Sequence, residues 1–295
     1  MTSAKSKQLK QGDEPAKEGQ SMRNDHSKQN DNLTQYNTKR IPFSVLFDGS
    51  FDGFLCIIYA YYYDKIQPLY IQTEDAFQQT LDVEVYYVAT DTEKSARVYD
   101  GIRQKISEDS ANNLYKAFLS GEDNKYMDLF RYVLLGFKKG FALDDCLQED
   151  CVLRVHKLAK HVGREVHLLS GFCRFAETKQ GVFYCVIEPK NHVLALLAEH
   201  FRDRFMNHAW IIHDKKHGMA AVYNGEDYII ESVPKDINVL YTDEEEKIQS
   251  LYTTFFNTIG IKERANYKLQ RQHVPLYFRG PMIEFRRKNW AGTNH

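Results

Sequence analysis

The stretch Trp210-Ile211-Ile212-His213-Asp214-Lys215-Lys216-His217-Gly218-Met219-Ala220-Ala221-Val222-Tyr223-Asn224-Gly225-Glu226-Asp227-Tyr228-Ile229-Ile230-Glu231-Ser232-Val233 decides the fold class. Three short apolar runs, 210–213, 219–223 and 228–233, are separated by Lys-His-Gly and Asn-Gly-Glu-Asp. Gly, Asn and Asp at those positions are turn chemistry, so the runs read as an antiparallel meander. Upstream, residues 181–187 read as a strand. Residues 192–205 read as a helix with Leu194, Leu197, Ala198, Phe201 and Phe205 on one face. From Thr92 to about Leu169 the pattern is mostly helical, broken near Gly121 and Gly140. Closer to the N-terminus, residues 42–47 and 83–88 read as strands and residues 54–63 as a buried helix. The class is α+β: a helical middle region with an antiparallel β-meander toward the C-terminus.

Residues 1–40 are a different material. They carry a net charge of +3 and few, dispersed apolar residues. Such a segment cannot bury enough surface to offset the entropy of ordering it, so a disordered polar leader is expected. A single α+β domain is expected over 41–290, with a sub-boundary near 170, and 291–295 as a tail. Five scattered cysteines with no Cys-x-x-Cys pair point to reduced thiols in the cytoplasm. No apolar run approaches the roughly 18 residues of a membrane span. Beyond the meander, Thr242 and Glu245 fit a capping box opening a helix that Gly260 stops. Ile248, Leu251, Tyr252, Phe255 and Phe256 form its apolar stripe.

Chemistry has two candidate locations. Asp48-Gly49-Ser50-Phe51-Asp52-Gly53 joins a strand to a helix, the arrangement that aims backbone N–H groups at an anion. Ser50 is placed to cap the helix. Asp48 and Asp52 would repel an anion unless a cation such as Mg²⁺ stood between, so they are candidate metal ligands and catalytic carboxylates. The plainer reading is that Asp and Gly are what a tight turn requires. The second location is His213-Asp214, a histidine beside a carboxylate at a strand end, suited to general acid–base work or simply to a hairpin tip. No zinc or iron–sulfur motif is present: Cys146 and Cys151 are isolated, and His156, His161 and His167 miss the zinc-helix spacing.

Basic residues gather in two places. On a wheel of residues 152–169, Arg154, Lys157, Lys160, His161 and Arg164 lie opposite the apolar sector of Val152, Val155, Leu158, Ala159, Val162, Val166 and Leu169. Residues 262–288 carry a local charge of +6, including Arg286 and Arg287, interleaved with Tyr267, Tyr277, Phe278 and Phe285. A basic face can track phosphates and interleaved aromatics suit single strands. A solvated helix face and core-docked aromatics are the plainer readings.

Taken together, residues 47–55, the run Gly171-Phe172-Cys173-Arg174-Phe175, Ile187-Glu188-Pro189, Trp210-Ile211-Ile212-His213-Asp214 and Pro275-Leu276-Tyr277-Phe278-Arg279 resemble an uncharacterised bacterial family. That family is described as DNA metabolism or repair proteins. The resemblance covers roughly residues 42–285; Gly280-Pro281 departs from it, where a bulkier, more basic continuation is expected. Members resembling this chain are associated with a radical-SAM protein, and some carry a uracil-DNA-glycosylase-like domain after the region seen here. The resemblance implies an accessory that binds DNA and a radical-SAM partner; Arg174 is a further candidate nucleic-acid contact. The alternatives are a metal-assisted enzyme acting on nucleotides or nucleic acid, and a protein–protein adaptor without DNA contact.

Overall fold

A computed structural model describes residues 43–77, 84–259 and 266–285. The expected leader, the tail, Arg286 and Arg287 lie outside these residues. The chain opens with β1 (Phe43–Phe47), α1 (Phe51–Tyr63), β2 (Pro68–Thr73) and β3 (Glu84–Tyr87). These strands form a sheet in the order β2-β1-β3, parallel throughout. The central strand β1 is buried from Ser44 to Phe47, as expected of a parallel strand covered on both faces. A parallel pair needs a crossover, and α1 supplies it, its side chains from Phe54 to Ile58 entirely in the core. Strand β2 escapes sequence reading because it is an edge strand: it begins on a proline and exposes Leu69 and Tyr70.

Four helices follow, α2 (Thr92–Lys105), α3 (Glu108–Phe118), α4 (Tyr126–Lys139) and α5 (Asp150–Phe172). Local chemistry sets their starts. The Asp91 carboxylate accepts the Glu93 and Lys94 N–H groups, and the Ser107 hydroxyl accepts the Ser110 N–H. The apolar sector expected on α5 is the buried one, with Val166 half-buried at its edge. Val152, Val155, Leu158 and Ala159 join the core beneath the parallel sheet, whereas Val162 and Leu169 join a second core. The helix therefore runs from one core into the other.

The second core lies under a mixed sheet, β4 (Ala176–Glu177), β5 (Phe183–Ile187), β6 (Trp210–Asp214), β7 (Met219–Tyr223) and β8 (Tyr228–Ser232), in that order. Strands β6, β7 and β8 form the antiparallel meander expected from their turns. Strand β5, however, pairs parallel to β6, with α6 (Leu194–Arg204) as the crossover. The fold is α+β, with a helical middle and C-terminal antiparallel strands.

The last helices are α7 (Asp243–Ile259) and α8 (Tyr267–His273). The Thr242 hydroxyl accepts the Glu245 N–H at 3.1 Å, half of the expected capping box. Glu245 does not close the box; it accepts the Glu177 N–H of β4 at 3.2 Å and the Gln249 amide at 2.8 Å. This tether turns Glu245, Gln249, Thr253 and Phe256 inward. Consequently Ile248, Leu251 and Phe255 are 59 %, 69 % and 60 % exposed. Of the expected apolar stripe, Phe256 turns inward against Phe285, whereas Ile248, Leu251 and Phe255 do not pack on the core. Among the described residues no helix is long and apolar enough to cross a membrane.

Candidate anion-binding crevice

The opening turn sits at the carboxyl end of β1, and its polar groups bond to one another. One Asp48 oxygen accepts the Ser50 N–H (2.9 Å) and hydroxyl (2.7 Å), and the other accepts the Thr90 hydroxyl beyond β3 (2.8 Å). Partial desolvation pulls the Asp48 pKa up, but these hydrogen bonds outweigh it and hold the carboxyl below its ordinary value. Ser50 caps α1 through the Gly53 N–H at 2.9 Å, as its position suggests. A Cβ on Gly53 would stand 2.3 Å from Asp48 Oδ1 and 2.8 Å from Thr90 Oγ1, so this latch closes only over glycine. Asp52 is exposed on the first turn of α1. Among the described residues no group of three His, Cys, Asp or Glu side chains is placed to hold a metal ion, and Asp48 and Asp52 gain no third ligand.

His213 and Asp214 belong to the mixed sheet, apart from that turn, and no hydrogen bond or ion pair joins the two sets among the described residues. His213 is buried, its Nδ1 2.6 Å from the Tyr184 hydroxyl. Desolvation lowers its pKa, against the pull of Asp214 and the Pro234 carbonyl. Asp214, also buried, turns instead to His217: it accepts the backbone N–H at 3.1 Å and lies 2.6 Å from the ring Nδ1. The His217 ring leans on His192, centroids 4.1 Å apart. The carboxylate–histidine pair here is thus Asp214–His217, across the turn between β6 and β7.

Next to this turn a crevice of about 600 Å³ opens between the loop at Ser120–Glu122, α5, the segments after β5 and β6, and the C-terminal segment around Tyr277. It stands at the carboxyl ends of the two parallel neighbours β5 and β6, where sheets of this kind commonly take ligands. Arg164 and His161 line it from α5, Lys190 from the segment after β5, and Lys216 from the turn after β6. Lys216 Nζ donates to the Lys190 carbonyl at 3.1 Å, and Lys190 Nζ lies 4.7 Å from the centre of the Tyr277 ring.

Two carboxylates touch this crevice, and both are engaged. Glu165 is buried and accepts the Lys190 N–H (2.8 Å), the Asn191 N–H (2.9 Å) and the Asn191 amide (2.6 Å). Asn191 Oδ1 in turn accepts the Gly121 N–H at 3.0 Å. Gly121 has no room for a side chain, since a Cβ would meet the Lys190 carbonyl at 2.5 Å. Glu122 forms an ion pair with Arg154. Arg164, Lys190 and Lys216 form no ion pair among the described residues, so the crevice presents net positive charge to solvent.

Of the basic residues singled out in the sequence, Arg164 alone joins this crevice with His161. Arg154 is spent on Glu122, with Asp128 at 4.0 Å, while Lys157 and Lys160 are exposed along the same helix. Arg174 clamps the C-terminal segment, bonding Glu284 at 2.9 Å and the Gly171 and Cys173 carbonyls. Phe278 is docked in the second core against Phe172, whereas Tyr277 is part-exposed, its ring centre 4.1 Å from that of Phe278. Lys190 carries no local signal in the sequence, because its position matters only once β5 and β6 run parallel.

Fold and crevice together define a two-sheet α+β protein with a cationic cleft at the ends of parallel strands. The model of DUF4130, a domain of unknown function, matches residues 123–284, more than half of the chain, and the protein belongs to that family. The matched region contains Arg164, Lys190, Lys216 and Tyr277 and leaves out the Asp48 turn. No curated protein matches the chain.

Proposed function

We propose that the protein is a nucleic-acid-binding accessory in DNA metabolism, taking the phosphate backbone of a single strand along the cationic crevice. The supporting observation is that Arg164, Lys190 and Lys216 line one cleft whose carboxylates are already engaged, beside the part-exposed ring of Tyr277. Phosphates release counterions on meeting such cations, and an exposed aromatic ring accepts a base of any identity. Lys157 and Lys160 extend the positive track along α5. Fluorescence anisotropy with single- and double-stranded oligonucleotides across a salt series tests this. Binding should favour the single strand, with a log–log salt slope of about −2 for three phosphates. Replacing Arg164, Lys190 and Lys216 together by alanine should abolish it. A flat response of the unaltered protein at low salt overturns the reading.

A second reading, an adaptor for another protein such as the radical-SAM partner, draws on the exposed stripe Ile248, Leu251 and Phe255 of α7. Contiguous exposed apolar surface of this kind commonly marks an interaction site. Co-purification with the partner should be lost when Leu251 and Phe255 are replaced by serine. Retention of the partner by that variant would exclude α7 as the contact.

A further inference from the structure

On the other side of the Ser120–Glu122 loop lies a second crevice, of about 460 Å³, bounded by β2, the start of α4 and His192. Lys125 lines it from the turn just before α4, and this lysine is 5 % exposed. Its ammonium group donates to the Ser120 carbonyl and lies 5.5 and 5.1 Å from the centres of the Phe118 and Tyr126 rings. Among the described residues it makes no ion pair. Two carboxylates of the same crevice attract it through space: Asp123, exposed on the rim, and Glu122, itself paired with Arg154. A buried ammonium ion with one carbonyl acceptor and two ring faces lacks the direct ion-pair contact that burial ordinarily demands.

Elsewhere along its walls the crevice offers the side chains of Thr73 and Asn124, which can donate hydrogen bonds to oxygen, and the exposed ring of Tyr70. His192 lines the same crevice. It is exposed at the surface, yet the surrounding protein partly desolvates it; with the like charges of His217, Lys125 and Lys216 this lowers its pKa to about 4, so it is neutral near pH 7. Burial likewise brings Lys125 down to about 8, leaving it mostly protonated at that pH. The volume suits a molecule of nucleotide size.

We propose that this second crevice binds a small phosphate monoester carrying a planar ring, of the nucleoside monophosphate class, with Lys125 neutralising the phosphate. This site shares the Ser120–Glu122 loop with the strand-binding crevice but uses a different cation, so each can be tested without the other. Lys125 is a binding residue here, and no covalent step is involved.

The test uses the full chain with adenosine monophosphate, inorganic phosphate and acetate as probes, read by calorimetry and by thermal unfolding. Adenosine monophosphate should bind and raise Tm, inorganic phosphate more weakly, and acetate least. Lys125→Met should weaken adenosine monophosphate binding at least tenfold and, having lost a buried unpaired charge, should unfold at a Tm no lower than the unaltered protein without ligand. It should also retain the anisotropy response to oligonucleotide, which distinguishes failure here from failure of the strand-binding reading. In the unaltered protein, adenosine monophosphate should protect Lys125 from acetylation by acetic anhydride, read by peptide mass spectrometry, whether or not the variant folds. No binding of adenosine monophosphate up to about 10 mM, a concentration that would still reveal millimolar affinity, overturns the proposal. So does undiminished binding by Lys125→Met, or acetylation of Lys125 unaffected by ligand. Stronger binding of acetate than of phosphate would reassign the site to carboxylates and overturn it as stated.

Discussion

The carboxylate of Glu165 accepts the backbone N–H of Lys190 at 2.8 Å, so the acidic residue of a cationic crevice is turned away from its cations and into the backbone. The bond spans 25 residues and joins α5 to the segment that follows β5. It lets Lys190 present its charge to solvent while its own backbone is fixed from below.

Removing that carboxylate should loosen the crevice. Glu165→Ala leaves the Lys190 and Asn191 N–H groups without their acceptor and should cost about 2–3 kcal/mol of stability in urea unfolding. Oligonucleotide binding should weaken with it. Glu165→Gln, which keeps the shape and one acceptor oxygen, should fall between the two.

The Asp48 latch predicts both a steric and a pH effect. Gly53→Ala should destabilise the fold, because the added Cβ meets Asp48 and Thr90 in the closed turn. The pKa of Asp48 is lower in the folded protein, so the unfolded chain takes up the proton first on acidification. Its stabilising contribution is complete above the ordinary value near 3.8 and is lost as pH falls through the folded value. Asp48→Asn should flatten the acid limb of the stability profile measured by denaturant titration below pH 4.

His192 gives a separate pH window. Its folded pKa of about 4 lies below the ordinary 6.5, so between these values the unfolded chain binds the extra proton. Stability should therefore be full above pH 6.5 and decline as pH falls toward 4. Tm measured across that interval should fall less steeply for His192→Gln. An unchanged slope would remove His192 from the account.

The rotation of α7 can be read from two substitutions. Thr242→Ala loses the cap on the Glu245 N–H and should cost about 1 kcal/mol. Leu251→Ser sits on an exposed face and should change stability by less than about 0.5 kcal/mol. If Leu251→Ser proves the more costly, the stripe is covered in the native protein.

What the sequence determined is what neighbouring residues can settle among themselves. Asn-Gly and Lys-His-Gly turns set the β6-β7-β8 meander, Ser50 and Thr242 capped their helices, and the period of α5 separated its buried from its basic face. Each of these rests on groups within a turn or two of one another, whose geometry backbone stereochemistry fixes. The tertiary structure decided the rest. Residues 68–73 became a parallel edge strand because β1 could accept a partner on either side, which no local pattern records. Parallel pairing of β5 with β6 brought Lys190 and Lys216 to one rim, opposite an Arg164 that the helix period had already turned outward. Asp214 chose His217 over the histidine beside it because adjacent side chains on a strand diverge, while the turn folds residue 217 back over residue 214. The stripe of α7 was legible as a stripe, but which side of the helix met the protein depended on the tether from Glu245 to β4. Periodicity defines a helix's faces; only contacts from distant segments determine which of them is buried.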